Sequence, residues 1–178
     1  MSANQAITNW KGKRVWLVGA SSGIGEALAR HLAKQGAVLA LSARRVEPLQ
    51  ETLALAPRGS LALPLDVTDE ASVTAAVNSL ANDWDQIDLV VWLAGTYVPM
   101  RAESFDLKAA RSVMEANILG PLNGLNALLP LMLDRGHGGI ALVSSVAGYR
   151  GLPKSLVYGP SKAALTNLAE ALYIDDHV

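Results

Sequence analysis

The stretch VWLVGASSGIGEALARHL, residues 15–32, decides the fold, and it is compatible with two kinds of site. Its segment GASSG, residues 19–23, fits G-x-S-x-G, the turn that presents a nucleophilic serine in hydrolases, here Ser21. Extended to Gly25, the same letters form G-x-x-x-G-x-G, a turn that can hold a dinucleotide pyrophosphate at a helix N-terminus. The choice between the two decides what Ser21 does.

Apolar runs and helical patterns alternate five times along the chain, which predicts right-handed crossovers and one doubly wound α/β domain over residues 1–178. The predicted strands are Arg14–Gly19, Val38–Ser42, Ser60–Leu65, Ile87–Ala94 and Gly139–Ser144. The predicted helices are Gly23–Gln35, Val46–Ala56, Asp69–Trp84, Lys108–Leu133 and Leu156–Tyr173. In the first helix, Ile24, Leu28 and Leu32 recur every four residues and predict one buried stripe. Asp69 is the predicted N-cap of the third helix.

The composition indicates a soluble cytoplasmic protein. Half of the residues (51%) are hydrophobic, 17% are charged and the net charge is −1, without a basic run that would suggest a nucleic-acid partner. The absence of cysteine excludes thiol nucleophiles and disulfides and fits a reducing compartment. Residues 1–14 lack the apolar core of a signal peptide. The most apolar stretch, Ile118 to Leu133, contains Pro121 and Pro130 and is expected to be too short and too interrupted to span a membrane.

A hydrolase interpretation of Ser21 lacks its partners. The hydrolase turn needs an oxyanion donor from an earlier loop, whereas only thirteen residues precede the first strand. The three histidines are His31 in the first helix, His137 in a glycine loop and His177 at the C-terminus. Each is expected to be a surface residue rather than a catalytic base.

A nucleotide-binding turn explains more of the sequence. Glycines let the backbone approach a pyrophosphate, and the free amides of the helix N-terminus point at that anion. Ser21 is therefore interpreted as a phosphate ligand; a tight strand-to-helix turn without a ligand is the alternative. The residues expected to contact the cofactor in this turn are Gly19, Ser21, Ser22, Gly23, Ile24 and Gly25.

A second motif lies near the end of the chain. Tyr158 and Lys162 are four residues apart, which places both side chains on one face of a helix. An ammonium group near a phenol favours the phenolate and brings that group into a useful acid–base range. Taken alone, the pair is more simply the start of a helix with a solvent-exposed lysine.

Four motifs in this order resemble the short-chain dehydrogenase/reductase family: Gly19-x-x-x-Gly23-x-Gly25, Asn117, Ser144-Ser145 and Tyr158-x-x-x-Lys162. The resemblance implies a Rossmann-like sheet of order 3-2-1-4-5 and the interconversion of a carbonyl and an alcohol on a small-molecule substrate. It implies that Tyr158 gives or takes the proton and that Lys162 assists it and holds the nicotinamide ribose. Ser145 would bind the substrate oxygen, and Asn117 would bend the long helix and hold a water of the proton relay. The simpler alternatives are a polar break in a helix for Asn117 and a turn residue for Ser145.

The resemblance extends to the adenosine half of the cofactor. Asp66 and Val67 resemble the pair that contacts the adenine ring; the alternative is an aspartate that starts a turn. Arg44 and Arg45 follow the second strand, where no acidic residue is present to accept the ribose hydroxyls. Their charge and bidentate geometry favour the 2′-phosphate of NADP(H) over NAD(H), unless both are simply solvated arginines.

The chain departs from the family pattern in two places. The family's Asn-Asn-Ala-Gly appears as Trp92-Leu93-Ala94-Gly95, in which the first two residues are expected in the core and Ala94 and Gly95 beside the cofactor. The sequence ends sixteen residues after Lys162, where family members continue with two more strand–helix units. We therefore expect a fragment with an open fifth strand that forms homo-oligomers and shows little turnover. A non-catalytic nucleotide-binding module is the alternative function, and a serine hydrolase is a distant third.

Overall fold

The computed structural model describes residues 6–175, in which five parallel strands form one sheet of order β3-β2-β1-β4-β5. This order confirms the predicted Rossmann-like sheet. The strands are β1 (Arg14–Val18), β2 (Val38–Ala43), β3 (Leu61–Pro64), β4 (Leu89–Trp92) and β5 (Ile140–Leu142). The helices are α1 (Gly23–Lys34), α2 (Glu47–Leu53), α3 (Glu70–Asp83), α4 (Leu107–Met114), α5 (Gly120–Arg135) and α6 (Tyr158–Asp175). All five predicted strands are present. Four of them are shorter than predicted at one or both ends, and β2 is one residue longer.

The central strand β1 is buried on both faces, and its side chains divide the core into two layers. Trp16 and Val18 point into a core completed by α3 and α5, whereas Val15 and Leu17 point into a core completed by α1 and α2. Alternating side chains of a strand point to opposite faces, so a strand covered on both faces needs a continuous apolar run. Each fully buried large side chain contributes about 1.5–3 kcal/mol of transfer free energy.

The buried face of α1 differs from the predicted stripe. Ile24 is 73% exposed and Leu28 is half-buried, whereas Gly25, Ala29 and Leu32 are buried. The prediction that Ile24 is buried is therefore wrong. Gly25 sets the rotation of this helix, because a Cβ there would overlap the carbonyl oxygen of Gly19. Neighbouring residues in a helix are about 100° apart around its axis, so Ile24, which precedes the inward-facing Gly25, points away from the sheet.

Aspartates cap two of the helices. Asp69 accepts a hydrogen bond of 3.0 Å from the Ala71 amide, which confirms the predicted N-cap of α3. Asp106 caps α4 in the same way, with bonds of 2.8 Å from the Lys108 amide and 3.2 Å from the Ala109 amide. A capping carboxylate satisfies amides that lack a partner within the helix.

Helices α4 and α5 are joined by a π turn over Glu115–Leu119, so that Leu107–Arg135 is continuous over 29 residues. The prolines do not interrupt it: Pro121 follows the π turn, and Pro130 lies inside α5. The expectation of an interrupted, short segment is therefore wrong, and this helix is long and apolar enough to cross a membrane by length and composition alone. It packs on the sheet and on α3 through Leu128 and Met132. That the protein has no membrane partner stays a prediction, as do its location and its oligomeric state.

Candidate functional site

The glycine turn lies at the carboxyl edge of the sheet, where the strand order reverses between β1 and β4. Ligands of open α/β sheets bind at such a point. Gly19 has φ +96°, and a Cβ there would lie 2.7 Å from the Ala94 amide nitrogen, so only glycine fits. That amide donates to the Val18 carbonyl at 2.8 Å, which fixes the end of β4 against the turn. Ser21 is half-buried inside the turn.

The N-terminus of α1 has hydrogen-bond donors to spare. Ser22 is the N-cap, with extended backbone and no side-chain capping bond. The first intrahelical bond runs from the Glu26 amide to the Ser22 carbonyl at 3.3 Å, so the amides of Gly23, Ile24 and Gly25 have no partner within the helix. Because Ser22 and Gly23 are exposed, this positive end of the helix dipole is open to an anion.

The predicted adenosine residues follow β2 and β3 at the same edge. Arg44 and Arg45 are both exposed. Asp66 accepts from the Thr68 amide at 3.0 Å and the Thr68 hydroxyl at 2.8 Å. These two bonds, aided by the charge of Arg44, lower the pKa of Asp66. Asp66 therefore does start a turn, and the half-buried Val67 lies within it.

Asn117, in the π turn, joins three segments of the site. Its fully buried amide accepts from the Thr96 amide at 2.7 Å and donates to the Thr96 carbonyl at 3.0 Å and to Ser161 Oγ at 2.9 Å. Ser161 in turn donates to the Tyr158 carbonyl at 2.7 Å. The loop after β4, the π turn and the first turn of α6 are thus fixed to one another. The sequence analysis missed Thr96 and Ser161, although Ser161 lies inside the Tyr158-to-Lys162 motif.

The side-chain amide of Asn117 is engaged within the protein, which bears on its predicted role as a water ligand. Both amide hydrogens of its side chain are already engaged. Pro121 has no N–H, so it cannot donate the usual helical bond to the main-chain carbonyl of Asn117. The main-chain carbonyl of Asn117 thus lacks its α-helical donor, and its role as a water ligand stays a prediction.

Lys162 is a buried cation at the centre of the site. Its Nζ donates to the Val143 carbonyl at 2.8 Å and lies 5.9 Å from the centroid of the Tyr158 ring. Burial lowers the pKa of Lys162. Within residues 6–175, no carboxylate forms an ion pair with it. Tyr158 and Lys162 therefore lie together, as predicted, and Lys162 is not the solvent-exposed lysine of the alternative.

The two serines after β5 have different surroundings. Ser144 Oγ donates to the Lys162 carbonyl at 2.8 Å and lies 2.8 Å from Thr166 Oγ1, which attaches it to α6. Ser145 Oγ accepts from the Ala147 amide at 3.2 Å and so caps the short turn that follows. That bond uses an acceptor lone pair and leaves the Ser145 hydroxyl hydrogen free to donate.

The Trp92-to-Gly95 segment is partly core and partly site. Trp92 is buried, and its six-membered ring packs on Gly124, where a Cβ would overlap it. Leu93 is half-buried against the opposite core, so both residues pack as predicted. Gly95 is exposed, and a Cβ there would come within 3.0 Å of Asn117 Oδ1. The two asparagine side chains of the family pattern are thus replaced by apolar packing, while Gly95 still lies close to Asn117.

No histidine of the described residues lies near Ser21. His31 is exposed on α1, and His137 lies at the opposite edge of the sheet, 3.2 Å from Asp88. His177 falls outside the described residues. The arrangement that a serine hydrolase would need is therefore not formed within residues 6–175.

The sequence profile of the short chain dehydrogenases matches residues 13–175, almost the whole chain. The chain belongs to this family. Among curated family members, the human "Dehydrogenase/reductase SDR family member 7" is 36% identical over 179 aligned residues, which include 92% of this chain and 53% of that protein. An uncharacterised oxidoreductase of Staphylococcus epidermidis is 31% identical, over 91% of this chain and 70% of its own. The chain thus spans about half the length of its human relative.

Solved structures of short chain dehydrogenases agree with the fold and with a nicotinamide cofactor. The serine dehydrogenase of Escherichia coli superimposes with a TM-score of 0.86 at 30% identity, over 92% of this chain and 76% of its own. ElxO with NADP bound superimposes with a TM-score of 0.85 at 25% identity, over 92% of this chain and 68% of its own. In that structure, ElxO binds the nicotinamide cofactor NADP.

Proposed function

We propose that this chain carries the cofactor and acid–base machinery of an NADP(H)-dependent oxidoreductase that interconverts a carbonyl and an alcohol. The observation that carries the proposal is the buried Lys162 ammonium, which has no carboxylate partner among the described residues and lies 5.9 Å from the Tyr158 ring. An unpaired buried charge is costly, and such groups mark functional sites more often than structural ones.

The residues present fit a dinucleotide. At Gly19 and Gly25 any Cβ would overlap backbone atoms, so the turn is packed tightly and the free amides of α1 are available to a pyrophosphate. Lys162 Nζ uses one of its three hydrogens on the Val143 carbonyl, so two remain for the nicotinamide ribose. Asp66 and Val67 would contact the adenine, and Arg44 and Arg45 would bind the 2′-phosphate. When bound, the nicotinamide supplies or accepts the hydride.

Two side chains act on the substrate oxygen in this proposal. In the reductive direction, Tyr158 donates its hydroxyl proton to that oxygen while the carbonyl carbon gains the hydride. The free hydroxyl hydrogen of Ser145 donates to the same oxygen. The Lys162 ammonium stabilises the phenolate that remains on Tyr158, and in the oxidative direction every transfer is reversed.

The Asn117 network keeps these groups in place. By holding Thr96 on both its amide and its carbonyl, Asn117 fixes the loop after β4 beside Lys162. Through Ser161 it also fixes the Tyr158 carbonyl. Buried networks that satisfy every polar atom are rigid, and small displacements of catalytic groups are costly.

Tyr158→Phe tests the proposal, because it removes the proton donor and little volume. Carbonyl reduction by NADPH is expected to fall about 10²- to 10⁴-fold, measured in the 178-residue chain and in any longer form that contains it. NADPH affinity should be nearly unchanged, and Tyr149→Phe, at an exposed tyrosine, serves as the matched control. Near wild-type turnover in Tyr158→Phe would show the mechanism to be wrong. NADPH binding without reduction of any carbonyl would favour the nucleotide-binding module.

A further inference from the structure

Two loops meet beside Tyr158: the one after β4 and the one before α6. The Met100 amide donates to the Lys154 carbonyl at 2.9 Å, and Met100 forms a parallel bridge with Ser155. The Tyr97 hydroxyl donates to the same Lys154 carbonyl at 3.4 Å. One carbonyl oxygen thus accepts two donors from the loop after β4.

The backbone at this junction is strained. Lys154 has φ +62°, and among the described residues it is the one non-glycine with a positive φ. Such conformations persist where the surroundings over-determine them, and they cluster at functional sites. Here the donors from Tyr97 and Met100 hold the Lys154 carbonyl in place, so the junction is a fixed part of the molecule.

Tyr97 extends from this junction to the reacting group. Its ring meets the Tyr158 ring edge-on, with the centroids 5.0 Å apart and the planes at 71°. The Tyr97 side chain is nevertheless about half exposed, at 48%. A large aromatic surface therefore stands open directly beside the phenol, and the proposed proton transfer does not use it.

We propose that Tyr97 is a specificity-determining residue whose exposed ring packs against a flat, aromatic substituent on the substrate carbonyl. The inference rests on the proposed function, because it assumes that the substrate oxygen binds at the Tyr158 hydroxyl. A carbonyl held there places its substituents near the Tyr158 phenol, whose ring centroid is 5.0 Å from that of Tyr97. Aromatic rings pair with their centroids about 4.5–7 Å apart. The edge-on packing against Tyr158, together with the long hydrogen bond to Lys154, orients the Tyr97 ring before binding, which reduces the entropy lost on association.

A matched pair of ketones separates aromatic recognition from simple apolar burial. Acetophenone and cyclohexyl methyl ketone have similar bulk, and only the first is flat. Each ketone is titrated into the chain saturated with NADP⁺, which has no hydride to give, and saturation-transfer NMR then reports affinity without turnover. The kcat/KM for reduction is measured separately with NADPH. We expect acetophenone to be favoured about two- to tenfold, the range set by aromatic pair energies.

Three variants locate the preference. Tyr97→Phe keeps the ring and should keep the preference, whereas Tyr97→Leu keeps apolar bulk and should abolish it. Tyr149→Leu is the control, since Tyr149 is also exposed but lines a separate cleft of about 330 Å³ with Leu142 and Leu165. It should leave the preference unchanged.

The outcomes distinguish this inference from the proposed function. A binding preference that is lost in Tyr97→Leu supports the inference even if neither ketone is reduced, in which case only the proposed function fails. Turnover of both ketones with no preference, or with a preference that survives Tyr97→Leu, overturns the inference and leaves the proposed function intact. Failure of the wild-type chain to bind either ketone overturns the inference as well.

Discussion

Each edge of the sheet contains a buried charge, and the two charges differ in how many protein groups compensate them. At the amino edge, the nearly inaccessible Asp88 carboxylate accepts from Lys13 Nζ at 2.7 Å, from the Arg14 amide at 2.8 Å and from the His137 ring at 3.2 Å. At the carboxyl edge, the Lys162 ammonium donates to the Val143 carbonyl and faces the Tyr158 ring, and within residues 6–175 it forms no ion pair. The first charge is fully compensated by the protein. The second keeps donors free for a ligand.

The pKa shifts express the same contrast. Burial alone would raise the pKa of Asp88, but the bonds from Lys13, Arg14 and His137 outweigh burial and lower it. Burial lowers the pKa of Lys162 without an opposing partner. Asp88 therefore contributes stability that is present above its unfolded pKa and lost as pH falls through its folded pKa. For Lys162 the unfolded chain binds the proton more tightly, so stability rises with pH between the two pKa values.

Replacing the uncompensated charge should give the largest effect, and it should act on function alone. Lys162→Met is expected to lower carbonyl reduction about 10²- to 10⁴-fold and to weaken NADPH binding. The free energy of unfolding of the ligand-free chain should stay the same or increase, because a costly buried charge is removed. Urea unfolding and NADPH titration measure both quantities. A variant that is less stable but still binds NADPH would contradict the contrast drawn between Lys162 and Asp88.

Replacing the compensated charge should do the reverse. Asp88→Asn weakens the hydrogen bonds to a buried carboxylate while the partly exposed Lys13 stays solvated, and it is expected to cost about 1–2 kcal/mol of unfolding free energy. Wild-type stability should fall below about pH 4, where an ordinary aspartate gains its proton, and this acid limb should flatten in the variant. Asp85→Asn, at a 95% exposed carboxylate, is the control. Parallel stability–pH curves for wild type and Asp88→Asn would contradict this role, as would a loss of NADPH affinity.

The glycine turn tests whether the carboxyl edge is shaped for a ligand. Gly25→Ala places a methyl group on the Gly19 carbonyl oxygen, and overpacking of this kind costs about 1–3 kcal/mol. NADPH binding should be lost, because the backbone has to move where the pyrophosphate would lie. Gly151→Ala is the control, since a Cβ there meets nothing within 4 Å. Equal NADPH affinity in the two variants would exclude this turn as the phosphate site.

Local sequence patterns were sufficient to predict the carboxyl edge, where the proposed ligand site lies, but not the Asp88 cluster at the amino edge. The turn from Gly19 to Gly25 and the pair Tyr158 and Lys162 each lie within a few residues, and continuous apolar runs predict a sheet covered on both faces. The Asp88 cluster joins residues 75 positions apart. Nothing in the letters near Asp88 indicates which distant groups will meet it.

The same limit explains what was missed inside the site. Asn117 was identified, but its partners Thr96 and Ser161 are 21 and 44 residues away and appear only when the chain folds. The burial of Ile24 was predicted because apolar residues recur every four positions in α1. Such a period shows that the helix has an apolar face, but it does not show which residues of that face point at the sheet. The contact between Gly25 and Gly19 sets the rotation of the helix.

The smallest effect concerns the choice of cofactor. Arg44 and Arg45 are exposed, and Arg44 lies close enough to Asp66 to lower the pKa of that carboxylate. We expect NADPH to bind more tightly than NADH and Arg44→Ala to remove up to about tenfold of that margin, since exposed charge pairs contribute at most about 1 kcal/mol. The margin should shrink in high salt, which screens exposed charges. Arg58→Ala, at an exposed arginine on the amino side of β3, should change neither affinity. Equal affinity of the wild-type chain for NADPH and NADH would remove the basis for the NADP assignment, and the carboxyl edge would then recognise only the pyrophosphate and ribose shared by both cofactors.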